Sequence, residues 1–345
     1  MNHKKIRAPR NRTLSVSESE RATLHSRLVA AKQVNGNNFL DRTILGDCFD
    51  ALARMPPASV DMIILDPPYN LNKKFGDVYF ARRSVDEYSD WLRGVLRSLV
   101  RVLKTTATVY ICGDWHSSAS IYAAASEFFA VRNRITWERE KGRGALSNWK
   151  NASEDIWYCT VSDNYTFNVD AVKLRRKVIA PYRTAEGAPK DWVESSGGNF
   201  RDTHPSNIWT DITIPFWSMP ENTDHPTQKS EKLIAKLILA SSRAGDVILD
   251  PFLGSGTTSV VAKKLGRRFC GIEIDEGFAQ IAEKRLAQAS LDVTIQGYSD
   301  NVFWERNSLP LMAGQAAAAK AKGRPKKDRP IKEPEMSLPF GHAAE

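Results

Sequence analysis

The sequence predicts an α/β protein built on a largely parallel sheet, with an irregular segment inserted in it and a basic extension at each end. Three observations carry this. Short apolar runs alternate with helical patterns, as strands linked by crossover helices do. Several strand-like runs end in turns that hold an acidic residue, and in an open parallel sheet ligands lie beyond the carboxyl ends of the strands. The net charge of +9 is uneven: residues 1–36 hold eight Lys/Arg against two Glu, residues 313–345 seven against four acids, and residues 37–312 are balanced at 34 each.

With 345 residues, 42% of them hydrophobic and 26% charged, the chain can bury a substantial core, which excludes a wholly disordered or disulfide-stapled protein. Nothing approaches the roughly 18 apolar residues of a membrane span, and Met1–Arg12 is basic without the apolar stretch of a secretory signal. The expectation is a soluble cytoplasmic protein. Cys48, Cys112, Cys159 and Cys270 are far apart with no Cys-x-x-Cys pair, so reduced thiols are expected, with no metal site and no disulfide framework. A neutral body between basic tails suits a polyanion; tails that merely keep the protein soluble account for the charge equally well.

In order along the chain, Thr43–Leu45 reads as a strand ending at Gly46-Asp47, Phe49–Met55 as a helix, and Val60–Leu65 as a strand entering Asp66-Pro67-Pro68-Tyr69. A long helix at Val85–Leu103, a strand at Ala107–Cys112, a helix at Ser117–Phe129, and strands at Val131–Trp137 and Ile156–Thr160 follow. Residues 139–223 lose the alternation and are rich in Gly, Pro, Arg, Trp and Asn. Beyond His225, Leu233, Ile234, Leu237 and Ile238 make one apolar helix face, with Lys232 and Lys236 pointing elsewhere. The strand Val247–Leu249 runs into Asp250-Pro251-Phe252-Leu253-Gly254-Ser255-Gly256-Thr257-Thr258, a helix carries on to Leu265, the strand Phe269–Ile272 ends at Glu273, and a helix spans Glu276–Ala289. The N-terminal residues 1–36 read as an extension, with a short helix at Ala22–Lys32, and 313–345 as a tail too poor in apolar residues to order itself. The folded body is placed at 37–312, with 37–138 and 224–312 as its two regular halves.

Two turns carry chemistry. Asp250–Gly256 sets an acid and two glycines between a strand and a helix, where backbone approaches a ligand closely and the helix N-terminus offers free N–H groups. Glu273, after the next strand, is placed to bond a ribose diol. Together they point to a nucleoside-type cofactor, although a tight packing turn would use the same glycines. In Asp66–Tyr69 two prolines remove two N–H donors and leave the Pro67 carbonyl as a fixed acceptor beside the Asp66 carboxylate. Two adjacent acceptors match an exocyclic amine, and Tyr69 offers a flat face for the ring that bears it; a rigid loop with a capping Asp explains the same residues.

Asp66-Pro67-Pro68-Tyr69, the Asp250–Thr258 turn and His225-Pro226-Thr227-Gln228-Lys229 together resemble the amino-methylating DNA methyltransferases that use S-adenosylmethionine, and their order resembles the beta group. The resemblance spans about 37–290 and implies the class I methyltransferase fold: a mixed seven-stranded sheet, circularly permuted, with helices on both faces. It implies that Asp47 and Cys48 lie against the cofactor's adenine, that Asp250, Phe252, Gly254, Ser255, Gly256, Thr257 and Glu273 surround the cofactor, and that His225, Thr227 and Lys229 hold its methionine end. Ser230 stands where the family has proline, and suits a helix cap. Asp66, Pro67, Pro68 and Tyr69 are the expected catalytic residues, acting on a base flipped out of double-stranded DNA. Asp at the first position favours adenine N6; cytosine N4 uses a similar turn, and a silent DNA-binding module on the same fold is a further reading. The absence of a Pro-Cys pair argues against cytosine C5 chemistry.

The segment 139–223 is the expected target-recognition region. Residues 129–183 carry eleven Lys/Arg and six acids, with Trp137, Trp149, Trp157 and Tyr158 interleaved, and Arg139, Arg143, Asn148 and Lys150 are candidate DNA contacts. In the tail, Lys322-Gly323-Arg324-Pro325 partly resembles an AT-hook, which makes Lys322 and Arg324 candidate minor-groove contacts. A cognate restriction endonuclease and a homodimer, as beta-group relatives often form, are open expectations.

Overall fold

The computed structural model describes residues 8–75, 78–139, 147–178, 182–195 and 198–306. Its main sheet has nine strands: β1 (Val29–Ala30), β2 (Arg42–Leu45), β3 (Val60–Leu65), β4 (Leu103–Gly113), β5 (Ala130–Glu138), β6 (Ser153–Thr160), β7 (Ile208–Trp209), β8 (Val247–Asp250) and β9 (Arg268–Glu273). Their spatial order is β1-β2-β9-β8-β3-β4-β6-β5-β7. All are parallel except β6, which runs antiparallel to both its neighbours. The expected seven-stranded mixed sheet is therefore present, with a two-residue strand added at each edge.

Alternate strand residues face two helical layers, as the period-2 pleat requires. Ile63, Leu65, Val109, Ile111, Leu249 and Ile272 pack under α2 (Cys48–Leu52), α3 (Val85–Val100) and α4 (Ser118–Ser126). Met62, Ile64, Tyr110, Cys112 and Ile248 pack under α5 (Glu231–Ser241), α6 (Thr257–Lys264) and α7 (Glu276–Ala289). Register then sets the active face. Leu45 lies opposite Glu273, Asp250 opposite Gly271, Leu249 opposite Ile63, and Leu65 opposite Ile111, so Asp47, Glu273, Asp250 and Asp66 emerge along one edge. The chain order reverses between β8 and β3, the switch point where an open α/β sheet leaves a crevice.

Four features depart from the sequence reading. α5 is buried on all sides: Lys232 and Lys236 turn inward because Asp211 ion-pairs both, at 2.7 and 2.8 Å. β6 belongs to the catalytic sheet although it falls within 139–223. The rest of that segment is less irregular than its composition suggests, since Leu174–Lys177, Val193–Ser195 and Gly198–Thr203 join Tyr298–Ser299 and Val302–Trp304 in a five-stranded second sheet. There Arg175 grips Asp202 through two hydrogen bonds of 2.7 and 2.8 Å and lies over the Trp304 ring. Finally, residues 8–36 pack onto the body. α1 is Glu18–His25, followed by a 3-10 turn at Ala31–Gln33, and Leu24, Ala31 and Val34 are buried. Leu14 bridges Thr223, while Lys284 of α7 bonds the Ser15 carbonyl at 2.9 Å and Glu20 at 2.7 Å. Three buried apolar residues and an ion pair tie down what composition alone presents as an arm. The tail with Lys322 and Arg324 lies outside the described residues, as does Arg143.

Ser230 caps α5 by accepting from the Leu233 amide at 3.2 Å, so the residue standing in place of proline serves the helix start. The four cysteines are buried and unpaired. No helix among the described residues is long and apolar enough to cross a membrane.

Candidate active site

A cavity of about 330 Å³ opens at the switch point. Its wall includes Asp47 and Cys48 from the start of α2, Asp66–Tyr69 after β3, His225, Thr227 and Lys229 before α5, Asp250–Ser255 and Thr257 after β8, and Glu273 after β9. Of the cavity residues expected from sequence, Gly256 alone is not on this wall. It starts α6 at φ +86, and a Cβ there would lie 2.6 Å from the Ala282 Cβ, so it serves the close packing of α6 on α7. Gly254 does face the cavity: at φ +56, its Cβ would lie 2.9 Å from His225 Nε2. Trp91, Phe49, Ile274 and Phe278 complete the wall with apolar surface, which no motif signals.

The acids differ in setting. Asp47 caps α2, accepting from the Phe49 amide at 2.7 Å. Asp250 is buried, accepts from the Phe252 amide at 3.0 Å and from the Thr258 hydroxyl at 2.6 Å, and burial pushes its pKa up to about 7. Glu273 accepts from the Gly254 amide at 2.7 Å and the Asp275 amide at 2.9 Å, and burial raises its pKa too. Its carboxylate thus fixes the glycine turn as well as facing the cavity, a cross-strand link invisible in sequence. Thr257 turns inward, donating to the Lys229 carbonyl at 3.2 Å.

The segment before α5 is held by Gln228, whose Oε1 accepts from the Thr223 amide and hydroxyl at 2.9 and 2.6 Å while its amide donates to the Glu221 carbonyl at 2.6 Å. This places Lys229 deep in the site. Its ammonium donates to Asp66 Oδ2 at 2.8 Å and to the Tyr69 hydroxyl at 3.1 Å, and stands 3.3 Å from Glu154 Oε2. Burial opposes that charge, but Asp66 and Glu154 outweigh it and hold the lysine pKa above its ordinary range. The Tyr69 hydroxyl donates to Asp66 Oδ1 at 2.9 Å; burial, with the charges of Asp66 and Glu154, raises its pKa and keeps it a neutral donor.

Among the surface candidates, Asn148 and Lys150 are exposed beside an exposed Trp149. Arg139 instead ion-pairs with the buried Glu154, a residue that no sequence signal singled out.

Comparison with known proteins shows the family. The profile of N6_N4_Mtase, described as DNA methylase, matches residues 60–284. The chain is similar to the DNA adenine methyltransferase YhdJ of Escherichia coli (strain K12), 36% identical over 72% of this chain and 84% of that one. It is similar to the Type II methyltransferase M.HpaI of Haemophilus parainfluenzae, 32% identical over 71% and 74%. Solved structures like it include the M1.HpyAVI–SAM complex (TM-score 0.48, 22% identity, covering 71% of this chain and 98% of that one) and the cytosine-N4-specific PvuII DNA methyltransferase (TM-score 0.49, 15%, 77% and 94%). The chain belongs to the N6/N4 DNA methylase family.

Proposed function

We propose that this protein transfers a methyl group from S-adenosylmethionine to N6 of an adenine flipped out of double-stranded DNA. The observation that carries it is the opening of the Asp66–Pro67 turn and the Asp250–Gly254 turn onto one cavity from adjacent strands. The cavity suits the cofactor: Glu273 and Asp47 can receive ribose and adenine groups, and the bare Gly254 lets the His225 ring close against the turn, where it and Thr227 can meet the amino-acid end. When bound, the cofactor supplies an electrophilic methyl on a sulfonium centre.

The chain's residues do the rest by positioning and electrostatics. The lone pair of an aromatic amine is delocalised into its ring. Asp66 and the Pro67 carbonyl accept the two N–H bonds and so turn the lone pair out of conjugation, while Pro67 and Pro68 keep the turn from yielding. Asp66, bonded to that amine, can also take the proton the methylated amine sheds. Tyr69, tied to Asp66 here, must turn to stack on the base, a change the flipped base itself can drive.

Target recognition is assigned to residues 139–223 outside β6, with Asn148, Lys150 and Arg143 as contacts and Lys322 and Arg324 in the tail as additional phosphate or groove contacts. The Type II relative supports a partner restriction endonuclease. A homodimer and a cytoplasmic location complete the reading. Expression in a methylation-deficient host, followed by nucleoside analysis of its DNA, is expected to yield N6-methyladenine. N4-methylcytosine alone would reassign the base, and neither would indicate a silent module. Sedimentation of the purified protein tests the dimer.

A further inference from the structure

Both oxygens of Asp66 are engaged: Oδ1 accepts from Tyr69, and Oδ2 from Lys229. An ammonium on Oδ2 competes with the target amine for the same acceptor and draws down its charge. Lys229 must therefore yield before Asp66 can align an amine. The structure holds a place for it to go. Glu154, at the start of β6, is 3% exposed, and its Oε2 has no hydrogen-bond partner among the described residues although it stands 3.3 Å from Lys229 Nζ. A buried carboxylate oxygen left without a donor is costly, and a shift of well under about 1 Å would bring the ammonium within hydrogen-bond range of it. Arg139 already ion-pairs with Oε1 of the same carboxylate.

We propose that Glu154 is a positioning residue for methyl transfer: its vacant Oε2 takes over the Lys229 ammonium when the target amine displaces it from Asp66. The inference rests on the methyltransferase reading. The four charges form a row, Arg139, Glu154, Lys229 and Asp66, in which one lysine is shared between two carboxylates. In the DNA-free enzyme Lys229 is shared, bonding Asp66 and standing at ion-pair distance from Glu154; in the productive complex it pairs with Glu154 alone and leaves Asp66 to the base.

The test is a double-mutant cycle between Glu154→Gln and Lys229→Met, read as single-turnover transfer at saturating cofactor and DNA, with cofactor affinity measured by calorimetry. Glu154→Gln removes the second seat of the ammonium, so transfer should slow by roughly 10- to 100-fold while cofactor affinity changes less than about threefold. In the Lys229→Met background there is no ammonium to seat, and adding Glu154→Gln should cost nothing further. An unimpaired Glu154→Gln enzyme, or an equal penalty in both backgrounds, overturns the proposal. Because Glu154→Gln also strips Arg139 of its partner, a variant too unstable to assay is replaced by the charge-balanced pair Arg139→Gln with Glu154→Gln, judged by the same two readings. Wild-type protein that transfers no methyl to any DNA defeats the methyltransferase reading and this inference with it; wild-type transfer with an unimpaired variant defeats this inference alone.

Discussion

Asp66 and Asp250 end neighbouring parallel strands, yet the protein uses them in opposite ways. The Asp66 side chain is 21% exposed and its partners, Lys229 and Tyr69, are side chains that can move. Asp250 is 4% exposed and is held by a backbone amide and by Thr258 on the first turn of α6. A carboxylate offered to a substrate must keep exchangeable partners, while one that shapes a turn is saturated by its own chain. The same sequence event, an acid after a strand, thus gives a carboxylate with movable side-chain partners in one turn and one held by its own turn and helix in the next.

The sharpest way to break this comparison is Asp66→Ala. Transfer should fall by roughly 10²- to 10³-fold or more, as when a transition-state hydrogen-bonding group is lost, with cofactor affinity nearly unchanged; single-turnover product measurement beside calorimetry checks both, and near-normal turnover would refute the assigned role. Next in size is Gly256→Ala, which forces a side chain into left-handed backbone and onto Ala282. About 2 kcal/mol or more of stability should be lost, read as a drop in Tm; Gly254→Ala, which meets His225 instead, should show its larger effect in cofactor affinity. Glu273→Ala frees the Gly254 amide and removes the ribose acceptor, so cofactor binding should weaken about 10- to 100-fold, the worth of a charge-assisted hydrogen bond.

The smallest effect concerns Asp250 and pH. Its folded pKa of about 7 lies above the ordinary 3.8, so the folded state binds the proton more tightly than the unfolded one. Its contribution is therefore fully present below the ordinary value and is lost as pH rises through about 7. Asp250→Asn, which cannot titrate, should show a shallower decline in Tm across that window, and identical slopes would mean the carboxyl is not protonated in the fold.

How much of this was legible follows from distance along the chain. Asp66–Tyr69 and Asp250–Thr258 are contiguous, and β3, β8 and β9 were read to within a residue or so because apolar runs bounded by turn residues mark strands well. Lys229 and Asp66 are 163 residues apart, and nothing in either neighbourhood announces their pairing; the lysine could be placed only by resemblance, at the cofactor. Lys232 and Lys236 misled because lysine on a helix normally faces water, and Asp211 and Trp304, on separate segments, reverse that. The second sheet was hidden for a similar reason: Leu174–Lys177 pairs with residues 303–304 in parallel, a contact that leaves no local pattern. Glu154 gave no signal because a single acid in a strand has none to give.

The strap formed by residues 8–28, ahead of β1, carries a kinetic consequence. Its anchors, Thr223 and Lys284, follow the residues they hold, Leu14 and Ser15, by more than 200 positions, so on a ribosome the strap is made early and must wait, undocked, until nearly the whole sheet has been synthesised. Contacts of such long sequence separation form late and, resting on few buried side chains, open first. Native-state hydrogen exchange should therefore find the Leu14 amide exchanging well before those of β8. Because Thr223 anchors the segment that leads to His225 and Lys229, opening of the strap would loosen the cavity wall while the sheet beneath remains closed.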